Sequence, residues 1–255
     1  MQFGVCAGPE DAGWMKDAGA DFLEAHVQNF LKPMEASWQP SVARADLPLP
    51  IAGYNCFLPN EVRITGPEAD PSVAEAYARR ACERAAEMGS EFIVFGSGGA
   101  RNVPDGWPRE KADEQIVACL RTIGPIAADA GVTIVMEPLN RGDTNLLNEM
   151  PETLEAVRRA DAPGVAVLCD LFHFSLESEP LEHLDACRGL LAHVHIAEPD
   201  GRVPPGPGMS DYRPFLRKLK EIEYDRRISI ECTWTDMQAE LAPSLEFLRN
   251  EWAAV

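Results

Sequence analysis

The chain has 255 residues, 45% hydrophobic and 25% charged, enough apolar mass for a large core and the wrong composition for a disordered chain. Its 23 Lys and Arg stand against 41 Asp and Glu, and the formal charge of -18 repels phosphate backbones and anionic membranes, so no nucleic acid and no membrane partner is expected. No window approaches the roughly 20 apolar residues of a bilayer span, and the opening MQFGVCAGPED lacks a basic region followed by a long apolar one, so a cytoplasmic protein is expected.

Taken along the chain, short apolar runs rich in β-branched residues predict strands at 3–6, 21–24 and 49–52. A helix is expected to start at Asp70-Pro71-Ser72, where a capping carboxylate and a first-turn proline favour nucleation, and to pass Tyr77 and Cys82 before stopping at Met88-Gly89. A strand at 91–95 leads into a Gly- and Pro-rich stretch, 96–108, read as a long loop. The next helix carries Ile116, Leu120, Ile123 and Ala127 on one stripe and stops at Gly131. Strands follow at 132–136, 165–169 and 191–196, the last with a second Pro- and Gly-rich loop over 199–208. A helix beginning near Ser210-Asp211 bears Phe215, Leu216 and Leu219, a strand is expected at 228–232, and a final helix after Asp236 carries Leu241, Leu245 and Leu248.

Eight apolar runs alternating with helices predict a parallel sheet covered on its outer side, and eight such units close most simply into an α/β fold with one (β/α)8 TIM barrel domain spanning 1–255. An open doubly wound sheet is the alternative, but no Gly-x-Gly-x-x-Gly follows an early strand. Seven cysteines without a close pair read as reduced, mostly buried thiols, with neither a disulfide nor a thiolate zinc site.

The chemistry gathers where the last four strands end. VTIVM is followed by Glu137, VAVLC by Asp170, LAHV by His195 and ISI by Glu231. In a barrel these positions share one rim, and unpaired carboxylates there cost several kcal/mol each unless a cation joins them. Three carboxylates with one imidazole suit Mn²⁺, Mg²⁺ or Co²⁺, whereas Zn²⁺ favours more nitrogen or sulfur. Each group taken alone also fits a strand-end salt bridge.

Asp143, His173 and Arg202 lie close by in sequence and are the candidates for holding substrate hydroxyls; Arg141 fits an ion pair with a surface acid equally well. His193 alternates in phase with His195 and is expected on the same side of its strand, as a support from the layer below or as a core histidine. Trp14, Phe57, Trp107 and Trp234 are candidate platforms for a sugar face or ordinary packing residues, and His183 carries no assigned role.

The segments Glu137-Pro138-Leu139-Asn140-Arg141 with Asn148, Asp170-Leu171-Phe172-His173, His195-Ile196-Ala197-Glu198 leading to Arg202 and Pro205-Gly206-Pro207-Gly208, and Ile230-Glu231 resemble the sugar phosphate isomerase/epimerase superfamily, the xylose isomerase-like barrels. The resemblance covers nearly the whole chain. It implies that Glu137, Asp170, His195 and Glu231 bind one divalent metal ion, foremost Mn²⁺, that Glu137 and Glu231 double as acid and base, and that His173 and Arg202 touch substrate. Where ketose 3-epimerases continue Leu-Asn-Arg with an aromatic residue and Glu, this chain has Gly142-Asp143.

The chemistry of such a site is proton abstraction beside a metal-chelated carbonyl through an enediolate. Return of the proton on the other face epimerises the centre, and return to the neighbouring carbon isomerises the sugar. The expected activity is therefore epimerisation or isomerisation of a ketose or related keto sugar, with a free ketose favoured because few cations are available for a phosphate. The alternative is a dehydratase of the inosose type on the same barrel, which expels a β-hydroxyl instead. An abasic-site endonuclease is disfavoured by five histidines and the negative charge, and a binding protein without chemistry is the remaining option. A small sugar is the expected partner, with a homodimer or homotetramer as the assembly.

Overall fold

A computed structural model describes residues 1–206 and 210–255; Pro207 and Gly208 of the glycine-proline segment lie outside the described residues. Eight parallel strands pair in sequence order and close on themselves. They are β1 (Gln2–Cys6), β2 (Leu23–His26), β3 (Ile51–Asn55), β4 (Phe92–Phe95), β5 (Thr133–Met136), β6 (Val165–Asp170), β7 (Leu191–Ile196) and β8 (Arg227–Ile230). The helices are α1 (Ala12–Asp17), α2 (Pro71–Met88), α3 (Gly98–Arg101), α4 (Arg109–Asp129), α5 (Met150–Ala160), α6 (Leu171–Leu176), α7 (Arg213–Glu221) and α8 (Met237–Ala254). The expected (β/α)8 TIM barrel is the fold.

Local signals explain the best-defined helices. Asp70 Oδ1 accepts from the backbone N–H groups of Ser72 and Val73, filling donors that α2 leaves unpaired, and Gly89 closes the helix with φ 76°. Asp236 caps α8 through the N–H of Ala239. Several boundaries move. The strands expected at 21–24, 49–52 and 228–232 run over Leu23–His26, Ile51–Asn55 and Arg227–Ile230, the stretch 96–108 contains the helical turn α3, and α7 begins at Arg213, whose N–H donates to Asp211.

Alternation along each strand divides the side chains into two sets. One set packs outward with the helices in the main core, as Ile93, Phe95, Ile134, Val167, Ile228 and Ile230 do. The other fills the barrel interior, where Phe22, Phe92, Val94, Val135, Ala166 and Leu168 form a separate apolar cluster. Two residues further along the same strands, on the same inward face, stand Glu24, Glu137 and Asp170. The apolar plug thus fills the lower barrel and the ionisable residues its upper end. All seven cysteines are free thiols, but only Cys82, Cys169 and Cys187 are buried and Cys56 is exposed, so the expectation of mostly buried thiols fails; among the described residues no helix is long and apolar enough to cross a membrane.

Candidate metal centre

Glu137 follows β5, Asp170 ends β6, His195 lies one residue before the end of β7 and Glu231 follows β8, so neighbouring strands deliver all four to one rim. One ligand atom from each lies within 4.8 Å of the others. His195 Nδ1 stands 3.1 Å from Glu231 and 3.5 Å from Glu137. Among the described residues, this nitrogen and Glu137 Oε1 are buried without an aligned hydrogen-bond partner. Buried polar atoms rarely stay unpaired, and two converging on one spot mark a place shaped for a further group. Three carboxylates and an imidazole fit a hard or borderline divalent cation.

The surroundings shape each ligand. Glu137 is held from behind by the fully buried Arg101 of α3, whose Nη1 donates to the Glu137 backbone carbonyl at 2.8 Å. Gly96, just after β4, makes room for the carboxylate, since a Cβ there would sit 2.4 Å from Glu137 Oε2. Asp170 divides its oxygens: Oδ1 accepts from Phe172 N–H and caps α6, while Oδ2 faces the site. Asn55, at the end of β3, donates to Glu231 Oε1 at 3.2 Å across the barrel.

Arg202 reaches into the same space, with its Nη2 3.0 Å from Asp170 and 2.5 Å from Glu231, and its guanidinium lies 4.6 Å from the Phe172 ring centre. Burial works against its charge and the facing Asp170 and Glu231 reinforce it. His173 Nδ1 accepts from the Asn140 amide nitrogen at 2.8 Å, and its Nε2 is approached by the Arg202 Nη1 donor at 3.4 Å. Burial first and Arg202 second push the His173 pKa down to about 3, which keeps the ring neutral.

Of the remaining candidates, Asp143 sits half-exposed on the rim, where Asn140 donates to it at 2.7 Å. Arg141 pairs with Glu149 and Glu177 away from the centre. Phe57 is fully buried and packs on Tyr77 and Phe95, which takes it out of the set of possible sugar platforms. His193 does share the inward face with His195.

Burial raises the Asp170 carboxyl to about 7 against the pull of Arg202, and burial raises Glu137 despite the neighbouring His195. In Glu231 the burial penalty is outweighed by His195 and Arg202, which bring it to about 2. Of the three carboxylates, Asp170 and Glu137 are thus driven up and Glu231 down.

Sequence reasoning missed Glu24 on β2 and Arg101. Glu24 has no exposed surface and faces both His193 and His195 at 2.8 Å, and these imidazoles, against burial, hold it well below the usual carboxylate range. An acid inside the apolar stretch around β2, matched by two in-phase histidines on β7, is the signal that was available. Cys6, inward from β1, groups with Glu24 and His195, and burial keeps it a thiol.

A family model described as "Xylose isomerase-like TIM barrel" matches residues 12–251. The chain is 30% identical over 230 residues to 3-dehydro-D-guloside 4-epimerase of Escherichia coli strain K12, covering 86% of this chain and 84% of that protein. It is 30% identical over 138 residues to L-ribulose 3-epimerase of a Methylomonas species, covering 53% of this chain and 48% of that one. In three dimensions it matches the crystal structure of an Escherichia coli 3-keto-D-glucoside 4-epimerase with a TM-score of 0.83 and 22% identity, over 98% of this chain and 99% of the other. The chain belongs to the xylose isomerase-like TIM barrel family. Kinship with these enzymes makes it an enzyme of the isomerase and epimerase kind.

Proposed function

We propose that the chain is a divalent-metal-dependent epimerase or isomerase of a ketose or related keto sugar, with Glu137 and Glu231 as its acid and base. The observation that carries this reading is the convergence of Glu137, Asp170, His195 and Glu231 with two buried atoms, Glu137 Oε1 and His195 Nδ1, left without partners. These four residues would hold the ion, Mn²⁺ in preference to Mg²⁺ or Co²⁺ and with Zn²⁺ less suited to so oxygen-rich a set. When bound, a divalent ion supplies Lewis-acid polarisation of a carbonyl and its neighbouring hydroxyl, which lowers the cost of removing a proton from the adjacent carbon.

The protein side of the reaction follows from the residues. Glu137 and Glu231 each place a carboxylate at the ion position, one after β5 and the other after β8, and are the two groups proposed to take and return the proton. His173 offers a neutral imidazole, Arg202 a guanidinium and Asp143 an acceptor on the rim, so the three can bind and orient substrate hydroxyls. Inversion requires the two glutamates to address opposite faces of one carbon, whereas return by a single base to the next carbon isomerises the sugar. The relatives' names support a centre beside a carbonyl: C4 next to a 3-keto group in one, C3 of a ketose in the other.

The test is product analysis by NMR in deuterated water with free ketoses and 3-keto sugars plus Mn²⁺. Deuterium at the carbon next to the carbonyl, with an inverted or isomerised product, supports the reading. Loss of water points to the dehydratase, and no exchange into any such substrate overturns it. The proposal also takes residues 1–255 as one functional domain, cytoplasmic and assembled as a homodimer or homotetramer, which light scattering on the purified protein checks.

A further inference from the structure

Beneath the four candidate ligands lies a second polar layer that the proposed reaction does not use. Glu24 Oε1 faces His195 Nε2 at 2.8 Å, and Glu24 Oε2 faces His193 Nε2 at 2.8 Å and accepts from Ser229 Oγ at 2.8 Å. None of these four side chains has exposed surface. An ionised carboxylate only accepts hydrogen bonds, so the ring nitrogen that each histidine turns to Glu24 carries a proton. In His195 this places the proton on Nε2, with Nδ1 directed at Glu137 and Glu231 and no aligned bond to either.

We infer that Glu24 is a positioning residue: by taking the Nε2 proton of His195 it fixes the ring so that the Nδ1 lone pair points to the ion position, while His193 and Ser229 fix Glu24. The inference rests on the four-ligand reading above. Stability alone is a poor reason for this layer, because a buried ion pair is often matched or bettered by apolar residues of the same volume. A carboxylate that orients an imidazole ligand, by contrast, is typically worth about 10- to 100-fold in metal affinity. The layer sits where that benefit is felt, between the apolar plug containing Phe92, whose ring lies 4.2 Å from that of His193, and the rim above it.

The test compares Mn²⁺ dissociation constants of the unmodified chain and Glu24→Gln, read from the electron paramagnetic resonance of free Mn²⁺. Glu24→Gln is expected to bind about 10- to 100-fold more weakly. Ser229→Ala, which keeps the charge of Glu24 and removes one of its donors, is expected to weaken binding by a smaller factor. On the unmodified chain loaded with Zn²⁺, long-range ¹⁵N–¹H spectra should show His195 with its proton on Nε2 and the metal on Nδ1, a readout independent of whether any variant folds. Equal Mn²⁺ affinity in folded Glu24→Gln overturns the inference and leaves the four-ligand reading standing, whereas a proton on His195 Nδ1 in the metal-loaded chain removes that nitrogen from the ligands and overturns both. An unmodified chain that binds neither Mn²⁺ nor Zn²⁺ overturns both.

Discussion

His195 Nδ1 stands 3.1 Å from Glu231 Oε2 with no aligned hydrogen bond between them. The same nitrogen lies 3.5 Å from Glu137 Oε1, itself without a partner. A close approach without hydrogen-bond alignment is the relation expected of two ligands arranged about a common centre rather than about each other. It also accounts for a rim whose carboxylates gather around the Arg202 guanidinium.

Replacing either proposed acid or base removes a proton carrier and alters the ligand set together. Glu137→Gln and Glu231→Gln should each lower kcat/KM by about 10² to 10⁴, with Glu231→Gln abolishing measurable turnover. Steady-state kinetics with a ketose or keto sugar turned over by the unmodified chain provides the check, and near-native rates in Glu231→Gln would remove it from the mechanism.

Metal affinity should depend on pH with a defined sign. Ligands bind a metal deprotonated, and in the metal-free chain burial lifts Asp170 to about 7 and also raises Glu137. Below about 7 the ion must displace a proton from Asp170, and it must also displace one from His195, which, against burial, Glu24 and Glu231 hold well above the usual imidazole range, so Mn²⁺ affinity should fall as pH drops and should still be rising above 7. The Asp170 shift has the opposite effect on the metal-free fold. A carboxyl raised in the folded state stabilises the fold at low pH, and that contribution is lost as pH rises from the ordinary Asp range to about 7. Calorimetric titrations across this window, in buffers of different protonation heat, should show proton release on binding that shrinks toward higher pH.

Gly96→Ala isolates the geometry of Glu137. The added Cβ would lie 2.4 Å from Glu137 Oε2, the movable end of a side chain, so the barrel should keep its thermal midpoint while the carboxylate shifts. A misplacement of about 1 Å can cost about 10²-fold in rate. Thermal unfolding alongside kinetics distinguishes this from general destabilisation, and a fully active Gly96→Ala would show that the carboxylate tolerates displacement.

Much of this was legible in the sequence for a physical reason. Apolar runs broken by Glu137, Asp170, His195 and Glu231 mark strand ends, because burying such groups mid-strand is expensive, and a closed barrel brings strand ends to one rim. Asp70, Gly89 and Asp236 declared their helix ends through capping chemistry. Glu24 was hidden because the run expected at 21–24 has only Phe22 and Leu23 between two acids, too short an apolar stretch to mark Glu24 as an inward strand position. Its partners, His193 and Ser229, come from strands far along the chain and only the closed barrel brings them near. Phe57 and Arg101 were equally opaque: nothing local distinguishes a buried aromatic from a sugar platform, or a buried guanidinium holding a backbone carbonyl from a solvated one.

The most direct measurement is an anomalous difference map from a crystal of the unmodified chain grown with Mn²⁺, recorded at the manganese edge. One strong peak within bonding distance of Glu137, Asp170, His195 Nδ1 and Glu231 is the expected result. Manganese bound elsewhere, or these four side chains paired among themselves with no peak between them in the presence of excess Mn²⁺, would contradict the metal centre and the chemistry built on it.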